Sequence, residues 1–391
     1  MGAEQGSYIR VQFGAKQRRQ VKGDAMSNLP IPLAAAEFTP DWVTAALQVD
    51  GKLKDEQVTS VETSPLGEGA GFLGSLARLK LTYNKPSQTA PETLVAKFPA
   101  LTEINRDLAV QYKVYEREAR FFNEIRPSIT SMPTPETFYI DIEKKTGYGV
   151  ILLEDLEGKL VVGDQLAGAT PKEAEQAIAQ IADLHATWWG RTDEDIISWV
   201  PAFDGPVWAM TAQTLPSLWP TYQEISSHLL LPKMDQVIEQ TWEALPWLGQ
   251  QLSQGPMTLV HGDYRMDNMF LTEREGDPIM VIDWQLMSRG RGPYDVAYFM
   301  SQSIDVEQRR ETERALIKQY HNGLVAGGVK HYSFDDCFED YRLASLWCVM
   351  YPIAMGGGMA HNERALQIAA ELSKRSFNTI LDLDAVSVLP N

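Results

Sequence analysis

The amino-acid sequence predicts an α+β protein that is divided into two unequal units. Its 391 residues exceed what one simple hydrophobic core accommodates. From about residue 57 to 153, apolar residues form short runs separated by turn residues, as in antiparallel strands. From about residue 157 onward, they recur with helical spacing. We therefore expect a small N-terminal antiparallel sheet followed by a larger, mainly helical C-terminal unit with one internal hairpin.

Composition and charge exclude several classes of protein. The chain is 44% hydrophobic and 22% charged, which is typical of a globular protein. Its formal net charge of -17 opposes binding to nucleic acid or to an anionic membrane surface, but it allows a small local anion site. Two cysteines without a Cys-x-x-Cys motif exclude a disulfide scaffold and a thiolate zinc site, and they favour a cytoplasmic location. No apolar run reaches the ~20 residues of a membrane helix.

The first 25 residues are interpreted as an extension of the folded protein. They are polar and basic, and they lack the apolar segment of a signal peptide. We expect residues 1–25 to be disordered. The folded part then begins with an extended arm after Met26 and a helix near Thr39-Pro40-Asp41, because proline suits the first turn of a helix.

A glycine-rich turn, GEGAGFLG, separates the first two predicted strands. Gly67, Gly69 and Gly71 would let backbone amides approach phosphate oxygens, and Phe72 would close over them. Because a strand and not a helix follows, the turn fits neither a Rossmann turn nor a P-loop. The alternative is that these glycines serve the turn geometry alone.

Lys97 lies among apolar residues of the next predicted strand, TLVAKFP. From there its ammonium group would neutralise phosphate charge beneath the glycine-rich turn. Glu118, on the predicted helix LAVQYKVYEREARFFNEI, is the expected partner that holds Lys97 in place. Two alternatives stay open. Lys97 could be a strand lysine whose head group reaches solvent, and Glu118 could belong to a solvated helix face, with Glu116 as the competing partner.

The segment LVHGDYRMDNMFL, residues 259–271, carries polar residues at fixed offsets between apolar flanks. Asn268 precedes a short predicted strand, and Asp283 ends the strand that returns from it. Paired antiparallel strands lie about 5 Å apart, so these two oxygen ligands can share a hard cation. Two ligands with open positions around them suit Mg²⁺. Asp263 would overhang the same hairpin mouth, close enough to accept a proton from an attacking hydroxyl.

The chain resembles the protein-kinase-like phosphotransferases of small molecules, the superfamily of aminoglycoside phosphotransferases and choline kinases. The likeness extends over about residues 40–385. Within this group, the run IDWQLMSRGRGPYDVAYFMSQSI, followed by QYHNGL, is most similar to the ecdysteroid-kinase-like branch and its bacterial relatives. The matching residues are Gly67-x-Gly69-x-Gly71, Lys97, Glu118, His261-Gly262-Asp263-x4-Asn268 and Asp283-Trp284-Gln285.

This resemblance implies a bilobal protein-kinase-like fold that binds ATP, with GTP as the alternative, together with Mg²⁺. The N-terminal lobe would span residues 26–153, the hinge 154–156 and the C-terminal lobe 157–391. The hinge residues Glu154 and Leu156 would present their backbone to the adenine edge.

The resemblance also implies the roles of the matching polar residues. It implies that Asp263 is the catalytic base and that Asn268 and Asp283 bind magnesium. It further implies that Lys97 contacts the nucleotide phosphates and that Glu118 orients Lys97.

Several residues outside this set receive structural interpretations. Asp295 matches a residue that braces the catalytic loop, with a plain helix N-cap as the alternative. His185 is interpreted as a core histidine whose hydrogen bonds are satisfied. The remaining aromatic and sulfur residues are assigned to the core by default, although C-terminal helices of a kinase-like lobe often line the acceptor site: Trp188, Trp189, Trp347, Met350, Tyr351 and Met355.

Two departures from protein kinases point to a small-molecule hydroxyl acceptor. The loop reads His-Gly-Asp instead of His-Arg-Asp, and neither Ala-Pro-Glu nor a long activation segment follows Asp283. The resemblance and a wall rich in Trp, Met and Tyr favour a hydrophobic alcohol of the sterol, terpenoid or aromatic type. The alternatives are a hydroxyacyl-CoA kinase, an aminoglycoside-type phosphotransferase with residues 335–340 as its acidic wall, and a nucleotide-binding scaffold without catalysis. The sequence does not determine the oligomeric state.

Overall fold

The computed structural model describes residues 29–49, 51–66, 73–87, 89–272, 277–358 and 362–390. The predicted disordered extension, residues 1–25, lies outside these ranges. Within them, an antiparallel sheet is followed by a larger helical part, so the predicted α+β organisation is confirmed. None of the helices in these ranges combines the length and the apolar character needed to cross a membrane.

Five antiparallel strands form the N-terminal sheet. They are β1 (Val58–Leu66), β2 (Gly74–Tyr83), β3 (Thr93–Pro99), β4 (Thr137–Ile142) and β5 (Gly149–Glu154). Their order across the sheet is β1-β2-β3-β5-β4, which places β3 at the centre. Helix α1 (Pro40–Val49) covers one face of the sheet.

Strand β3 shows how alternation in the sequence directs side chains. Leu94, Ala96 and Phe98 are buried on the face that packs with α1. Because successive side chains of a strand point to opposite faces, Val95 and Lys97 lie on the other face. Val95 packs there against the core of the C-terminal part. Lys97 is thereby directed into the space between the two parts.

The helix predicted over residues 108–125 is interrupted. Helix α2 spans Glu103–Gln111, helix α3 spans Val114–Arg120, and a turn of π-helix follows at Phe121–Ile125. Between α2 and α3, Lys113 has a left-handed φ of 54°, which an uninterrupted α-helix does not contain. The break reorients α3 so that it packs against both β5 and the 3₁₀ turn Trp284–Leu286.

The C-terminal part is built around one buried helix. Helix α8 (Pro293–Ser303) is buried along its whole length, as expected for a helix at the centre of a lobe. Helix α4 (Pro171–Trp188) begins with a capping box formed by Thr170 and Glu173. The other helices are α5 (Pro206–Thr214), α6 (Trp219–Ser226), α7 (Met234–Leu252), α9 (Val306–Ala326), α10 (Phe334–Cys348), α11 (Met350–Gly358) and α12 (Glu363–Asp382).

Two small antiparallel sheets interrupt the helices, where the sequence predicts one hairpin. The predicted hairpin consists of β8 (Met269–Leu271) and β9 (Met280–Val281), and β6 (Val161–Val162) pairs with its edge. A second pair, β7 (Thr258–Val260) with β10 (Ser288–Gly290), lies beside it. The second pair escapes prediction because its strands are short and no turn joins them directly.

Candidate active site

The loop after β7 contains His261-Gly262-Asp263 and turns sharply at its glycine. Gly262 has a φ of +89°, a region that favours glycine. A Cβ atom at this position would lie 2.1 Å from the carbonyl oxygen of Leu286. The glycine of His-Gly-Asp is therefore explained by close packing of the loop against the segment that follows Asp283.

His261 fastens this loop to the residue before Asp283. Its ring is fully buried, with Nε2 lying 3.0 Å from the carbonyl oxygen of Ile282. The backbone N–H of Asp263 donates to Nδ1 at 3.2 Å. Burial lowers the pKa of His261, so the ring is neutral, with Nε2 as donor and Nδ1 as acceptor.

Asp295 braces the loop from below. The backbone N–H groups of His261 and Gly262 donate to its carboxylate at 2.7 and 3.0 Å. Helix α8 is capped by Gly292, so the alternative that Asp295 is the N-cap is wrong. His185 Nε2 lies 3.0 Å from the same carboxylate in a fully buried position, which confirms the interpretation of His185 as a satisfied core residue.

Asp263 presents a carboxylate that three neighbours hold in place. Its Oδ1 accepts hydrogen bonds from Arg265 Nε at 3.0 Å and from Tyr298 Oη at 2.6 Å. Its Oδ2 accepts one from Asn268 Nδ2 at 2.8 Å. Burial raises the pKa of Asp263, but the charge of Arg265 and the hydrogen bonds outweigh burial and hold the pKa below its usual value. The carboxylate is therefore ionised at neutral pH.

The sequence pattern does not single out two of these neighbours, Arg265 and Tyr298. Arg265 lies two residues after Asp263 in the same polar loop, so the loop itself contains a signal for it. Tyr298 lies 35 residues from Asp263, on α8. Its spacing from Asp295 by about one helical turn is the only signal in the sequence, and that signal has meaning only once Asp295 is known to touch the loop.

Asn268 and Asp283 both lie at the mouth of the β8–β9 hairpin, next to one cross-strand hydrogen bond. The backbone N–H of Ile282 donates to the carbonyl oxygen of Asn268 at 3.0 Å. The Asn268 amide nitrogen is engaged with the carbonyl and the carboxylate of Asp263, which directs its Oδ1 away from Asp263. Asp283 has a left-handed φ of 64°, which is uncommon for a residue other than glycine.

The chemistry of this pair fits magnesium. An amide oxygen and one carboxylate suit Mg²⁺, which keeps water or phosphate oxygens as its other ligands. Across the described parts of the chain, no group of three or more His, Cys, Asp or Glu side chains could hold a metal ion. Asn268 and Asp283 would thus supply only part of a coordination sphere.

Lys97 joins the two parts of the molecule through ion pairs. Its Nζ lies 2.6 Å from Glu118 Oε2 and 2.9 Å from Asp283 Oδ1. Burial lowers the pKa of Lys97, but the carboxylates of Asp283 and Glu118 outweigh burial and raise the pKa above its usual value. Glu116, the competing partner, pairs with Arg120 instead. Lys97 thus contacts both helix α3 and the candidate metal ligand Asp283.

The glycine-rich turn precedes β2, whose first residue lies beside Lys97. A Cβ atom at Gly74, the first residue of β2, would lie 4.0 Å from Lys97 Cε. The predicted phosphate-binding residues themselves lie outside the described residues: Gly67, Gly69, Gly71 and Phe72.

The predicted hinge follows β5. Glu154 ends the strand and pairs with Lys159 at 2.9 Å. Asp155 is held to β2 by Arg78, whose Nε lies 2.7 Å from its carboxylate. Leu156 is buried, and its backbone N–H makes no hydrogen bond to any described residue. The segment therefore has a backbone donor that no described residue uses, at a position fixed by its neighbours.

Three tyrosines line the side of Asp263 that faces the helices. The rings of Tyr298 and Tyr351 meet edge to face, with centroids 4.5 Å apart. Tyr294 Oη contacts the Tyr351 hydroxyl and donates to the carbonyl oxygen of Gly262 at 3.2 Å. Tyr351 thus lies beside the loop, and Met355 is half-buried on the same helix. The other residues assigned to the core belong to it or pack against it: Trp188, Trp189, Trp347 and Met350.

The acidic run 335–340 begins a helix. Ser333 and Asp336 form the capping box of α10. Asp340 is largely buried, where it pairs with Arg291 and accepts a hydrogen bond from Tyr332 at 2.7 Å. Local roles therefore account for two of the carboxylates of this run.

Comparisons with known proteins show the family to which the chain is similar. The model of the Ecdysteroid kinase-like family matches residues 68–332. The chain is 23% identical over 332 residues to the uncharacterized oxidoreductase dhs-27 of Caenorhabditis elegans, which covers 77% of this chain and 39% of that protein. It is 23% identical over 203 residues to acyl-CoA dehydrogenase family member 11 of Rattus norvegicus, covering 51% of this chain and 23% of that protein. The chain thus spans well under half the length of these curated relatives.

Solved structures show the same fold. The GDP and kanamycin complex of APH(2")-IIia covers 85% of this chain and 97% of its own, with a TM-score of 0.51 and 14% identity. Choline kinase from Cryptosporidium parvum Iowa II covers 88% of this chain and 92% of its own, with a TM-score of 0.50 and 13% identity. The predicted bilobal protein-kinase-like fold is confirmed by these likenesses, which at such identities concern the fold alone.

Proposed function

We propose that this chain, which belongs to the Ecdysteroid kinase-like family, transfers the γ-phosphoryl group of ATP to a hydroxyl group of a small molecule in a Mg²⁺-dependent reaction. One observation supports this most. The polar residues form two contact groups, Glu118–Lys97–Asp283 and Asn268–Asp263, with contacts of 2.6 to 2.9 Å within each. The hydrogen bond from Ile282 to Asn268 joins the segments that carry the two groups. GTP remains the alternative donor.

These residues would first neutralise negative charge on the phosphate groups. Phosphoryl transfer requires in-line positioning and stabilisation of charge on the phosphate oxygens. Mg²⁺ held by Asn268 and Asp283 would neutralise part of that charge. Lys97 brings a permanent positive charge to the same place, and Glu118 keeps its side chain extended. The backbone N–H of Leu156, which no described residue uses, would bind the adenine edge.

Asp263 acts on the acceptor. The acceptor oxygen attacks the γ-phosphorus, a new P–O bond forms as the bond to the β-phosphate oxygen breaks, and ADP leaves. Asp263 aligns the attacking hydroxyl and takes its proton. Arg265 and Tyr298 fix the orientation of this carboxylate and keep it ionised before the reaction.

The acceptor is a hydrophobic alcohol of the sterol, terpenoid or aromatic type. Support comes from Tyr351, the half-buried member of the tyrosine cluster next to Asp263, behind which Tyr294 and Tyr298 are buried. An aromatic side chain at this place favours apolar or planar compounds over polycations. An aminoglycoside acceptor has less support, because Asp336 and Asp340 of the acidic run serve the helix start and the Arg291 pair.

A hydroxyacyl-CoA acceptor is the second candidate. The observation that favours it is the local similarity to proteins named acyl-CoA dehydrogenase family member 11. That similarity covers 23% or less of those proteins, and the net charge of -17 does not favour a CoA phosphate groove.

Two measurements test the proposal. Thermal unfolding should shift to higher temperature with Mg²⁺ and ATP, and less with ATP and EDTA. A screen with γ-labelled ATP against hydrophobic alcohols, hydroxyacyl-CoA esters and aminoglycosides should then yield a labelled product that Asp263→Asn does not form. Stabilisation without any product would favour the non-catalytic scaffold. The absence of both would contradict the proposal.

A further inference from the structure

A buried arginine next to Glu118 links the two lobes. Arg117 lies on α3 with only 1% of its side chain exposed. Its Nη1 donates to the carbonyl oxygen of Met287 at 3.3 Å, and its Nη2 donates to that of Tyr112 at 2.8 Å. Successive residues of a helix point about 100° apart, so Glu118 faces Lys97 while Arg117 faces the segment after Asp283.

Within the described parts of the chain, the charge of Arg117 has no carboxylate partner, and its hydrogen bonds go to backbone carbonyl groups. Its Nε lacks a hydrogen bond to any described residue. Burial lowers the pKa of Arg117 to about 10, which leaves it charged at neutral pH. A buried charge without a counter-ion is unfavourable, and an apolar side chain of similar volume would pack at lower cost. Packing alone therefore does not explain an arginine here.

The two carbonyl groups explain it better. Tyr112 is the C-cap of α2, where helix carbonyls carry partial negative charge. Met287 follows Asp283 by four residues on the segment that carries this candidate metal ligand. The planar guanidinium group has donors in a fixed geometry, so it can hold both carbonyls at a set separation.

A second contact on the same helix face holds the same segment. Phe121, four residues after Arg117, stacks on Trp284 with ring centroids 3.9 Å apart. Residues four apart lie on one face of a helix. The aromatic stack holds the lobes together by apolar contact that does not depend on the arginine. The hydrogen bonds of Arg117 add a directional constraint on the orientation of the segment. Loss of Arg117 is thus expected to loosen the segment without separating the lobes.

We propose that Arg117 is a positioning residue that holds the Asp283–Met287 segment against the helix carrying Glu118 and thereby sets the spacing between Lys97 and the magnesium ligands. This inference rests on the proposed function. In this role Arg117 does not need to contact the nucleotide or the acceptor. It affects nucleotide binding through the position of Asp283.

Calorimetric binding of ATP, with Mg²⁺ and with EDTA, tests this role. Arg117→Met should weaken binding of Mg²⁺-ATP about tenfold, equivalent to about 1.4 kcal/mol, and leave binding in EDTA within about twofold. Arg117→Lys keeps the charge but cannot hold both carbonyls, so it should fall between wild type and Arg117→Met. Arg120→Met is the matched control. Arg120 lies on the same helix and packs over Trp199 of the C-terminal part, but it does not reach the Asp283 segment.

The outcomes separate the inference from the proposed function. Equal Mg²⁺-ATP affinities for Arg117→Met and Arg120→Met would overturn the inference, as would equal losses with Mg²⁺ and with EDTA. If Arg117→Met lacks a cooperative melting transition, Arg117→Lys decides, and wild-type Mg²⁺-ATP affinity in that variant would overturn the positioning role. A wild-type protein that binds ATP equally with Mg²⁺ and with EDTA would overturn the proposed function together with this inference.

Discussion

At Asp263, a change of one carboxylate oxygen to an amide nitrogen separates binding from chemistry. Asp263→Asn keeps the volume of the side chain but removes the charge that accepts the acceptor proton. We expect kcat to fall about 10²- to 10⁴-fold, the range of general base catalysis, with nucleotide affinity changed little. Steady-state kinetics with the acceptor found by the screen, combined with calorimetry, measures both. Asp195→Asn, at an exposed position away from this loop, is the control, and a normal turnover of Asp263→Asn would remove the role assigned to Asp263.

Asp283 should behave in the opposite way. Asp283→Ala removes the carboxylate of the candidate magnesium pair, so Mg²⁺ should no longer improve ATP binding. The same change deprives Lys97 of one of its two ion-pair partners, while Glu118 at 2.6 Å remains. We therefore expect binding in EDTA to be largely retained. Calorimetry with and without Mg²⁺ gives the answer, and a variant whose affinity still rises with Mg²⁺ would show that the metal binds elsewhere.

The site residues also show where sequence reasoning stops. Asp263, Asn268 and Asp283 could be singled out because the loop and the hairpin fix their mutual positions locally. Tyr298 and Arg117 could not. Tyr298 reaches Asp263 only because Asp295 anchors α8 beneath the loop. In the sequence, Arg117 is one of several charged residues on a predicted helix, and its role becomes visible only with its carbonyl partners.

Among the elements, the turn at Gly262 is the most sensitive to substitution. Gly262→Ala places a Cβ atom 2.1 Å from a backbone oxygen in a left-handed conformation. We expect a loss of about 2 to 4 kcal/mol in the free energy of unfolding, because backbone and not a flexible side chain must move. Gly190→Ala is the control. Gly190 has a similar φ of +68°, but a Cβ atom added there would meet nothing within 4 Å, so the variant should lose about 1 to 2 kcal/mol. If chemical denaturation showed that both variants lose the same free energy of unfolding, the predicted clash at Gly262 would be refuted.

Helices α9 and α12 are joined by pH-sensitive ion pairs between one carboxylate and two arginines. Asp382 accepts hydrogen bonds from Arg309 and Arg310. Burial raises the pKa of Asp382, but these arginines outweigh burial and hold the pKa below its usual value. A depressed native pKa stabilises the fold above the unfolded pKa of about 3.9, and this contribution is lost as the pH falls through the native pKa.

Asp382→Asn should reveal that contribution. At pH 7 we expect a loss of about 1 to 2 kcal/mol in the free energy of unfolding, at the lower end because Asp382 is partly screened by solvent. The difference from wild type should begin to shrink below about pH 4, where the carboxylate of the unfolded chain takes up a proton, and should be lost as the pH falls through the depressed native pKa. Denaturation at several pH values checks this, with Asp107→Asn on the exposed face of α2 as the control. A difference independent of pH would argue against the ion pair.

Regular periodicity explains which elements the sequence predicted. The sheet strands and α4 follow clear alternation or helical spacing, and their positions agree with the prediction. The break at Lys113 and the β7–β10 pair were missed for physical reasons. A left-handed lysine has no signature in the sequence, and three-residue strands gain their stability from long-range packing rather than from local pattern.

For the whole molecule, Lys97 and helix α3 join the two lobes beside the candidate metal ligands. Three contacts between the lobes form this junction: Lys97 with Asp283, Arg117 with Met287, and Phe121 with Trp284. Through this junction, one short helix contacts the segment that carries a candidate metal ligand. The length and charge of the chain bounded the architecture, but only the fold brings these residues, more than 150 positions apart, into contact.

A crystal structure with Mn²⁺ and a non-hydrolysable ATP analogue tests the central claim most directly, because the anomalous signal of manganese locates the ion. We expect one peak within about 2.2 Å of both Asn268 Oδ1 and an Asp283 carboxylate oxygen, bridged to the phosphates, with the γ-phosphate facing Asp263. Nucleotide bound in the cleft with manganese at other residues, or with the γ-phosphate turned away from Asp263, would contradict it.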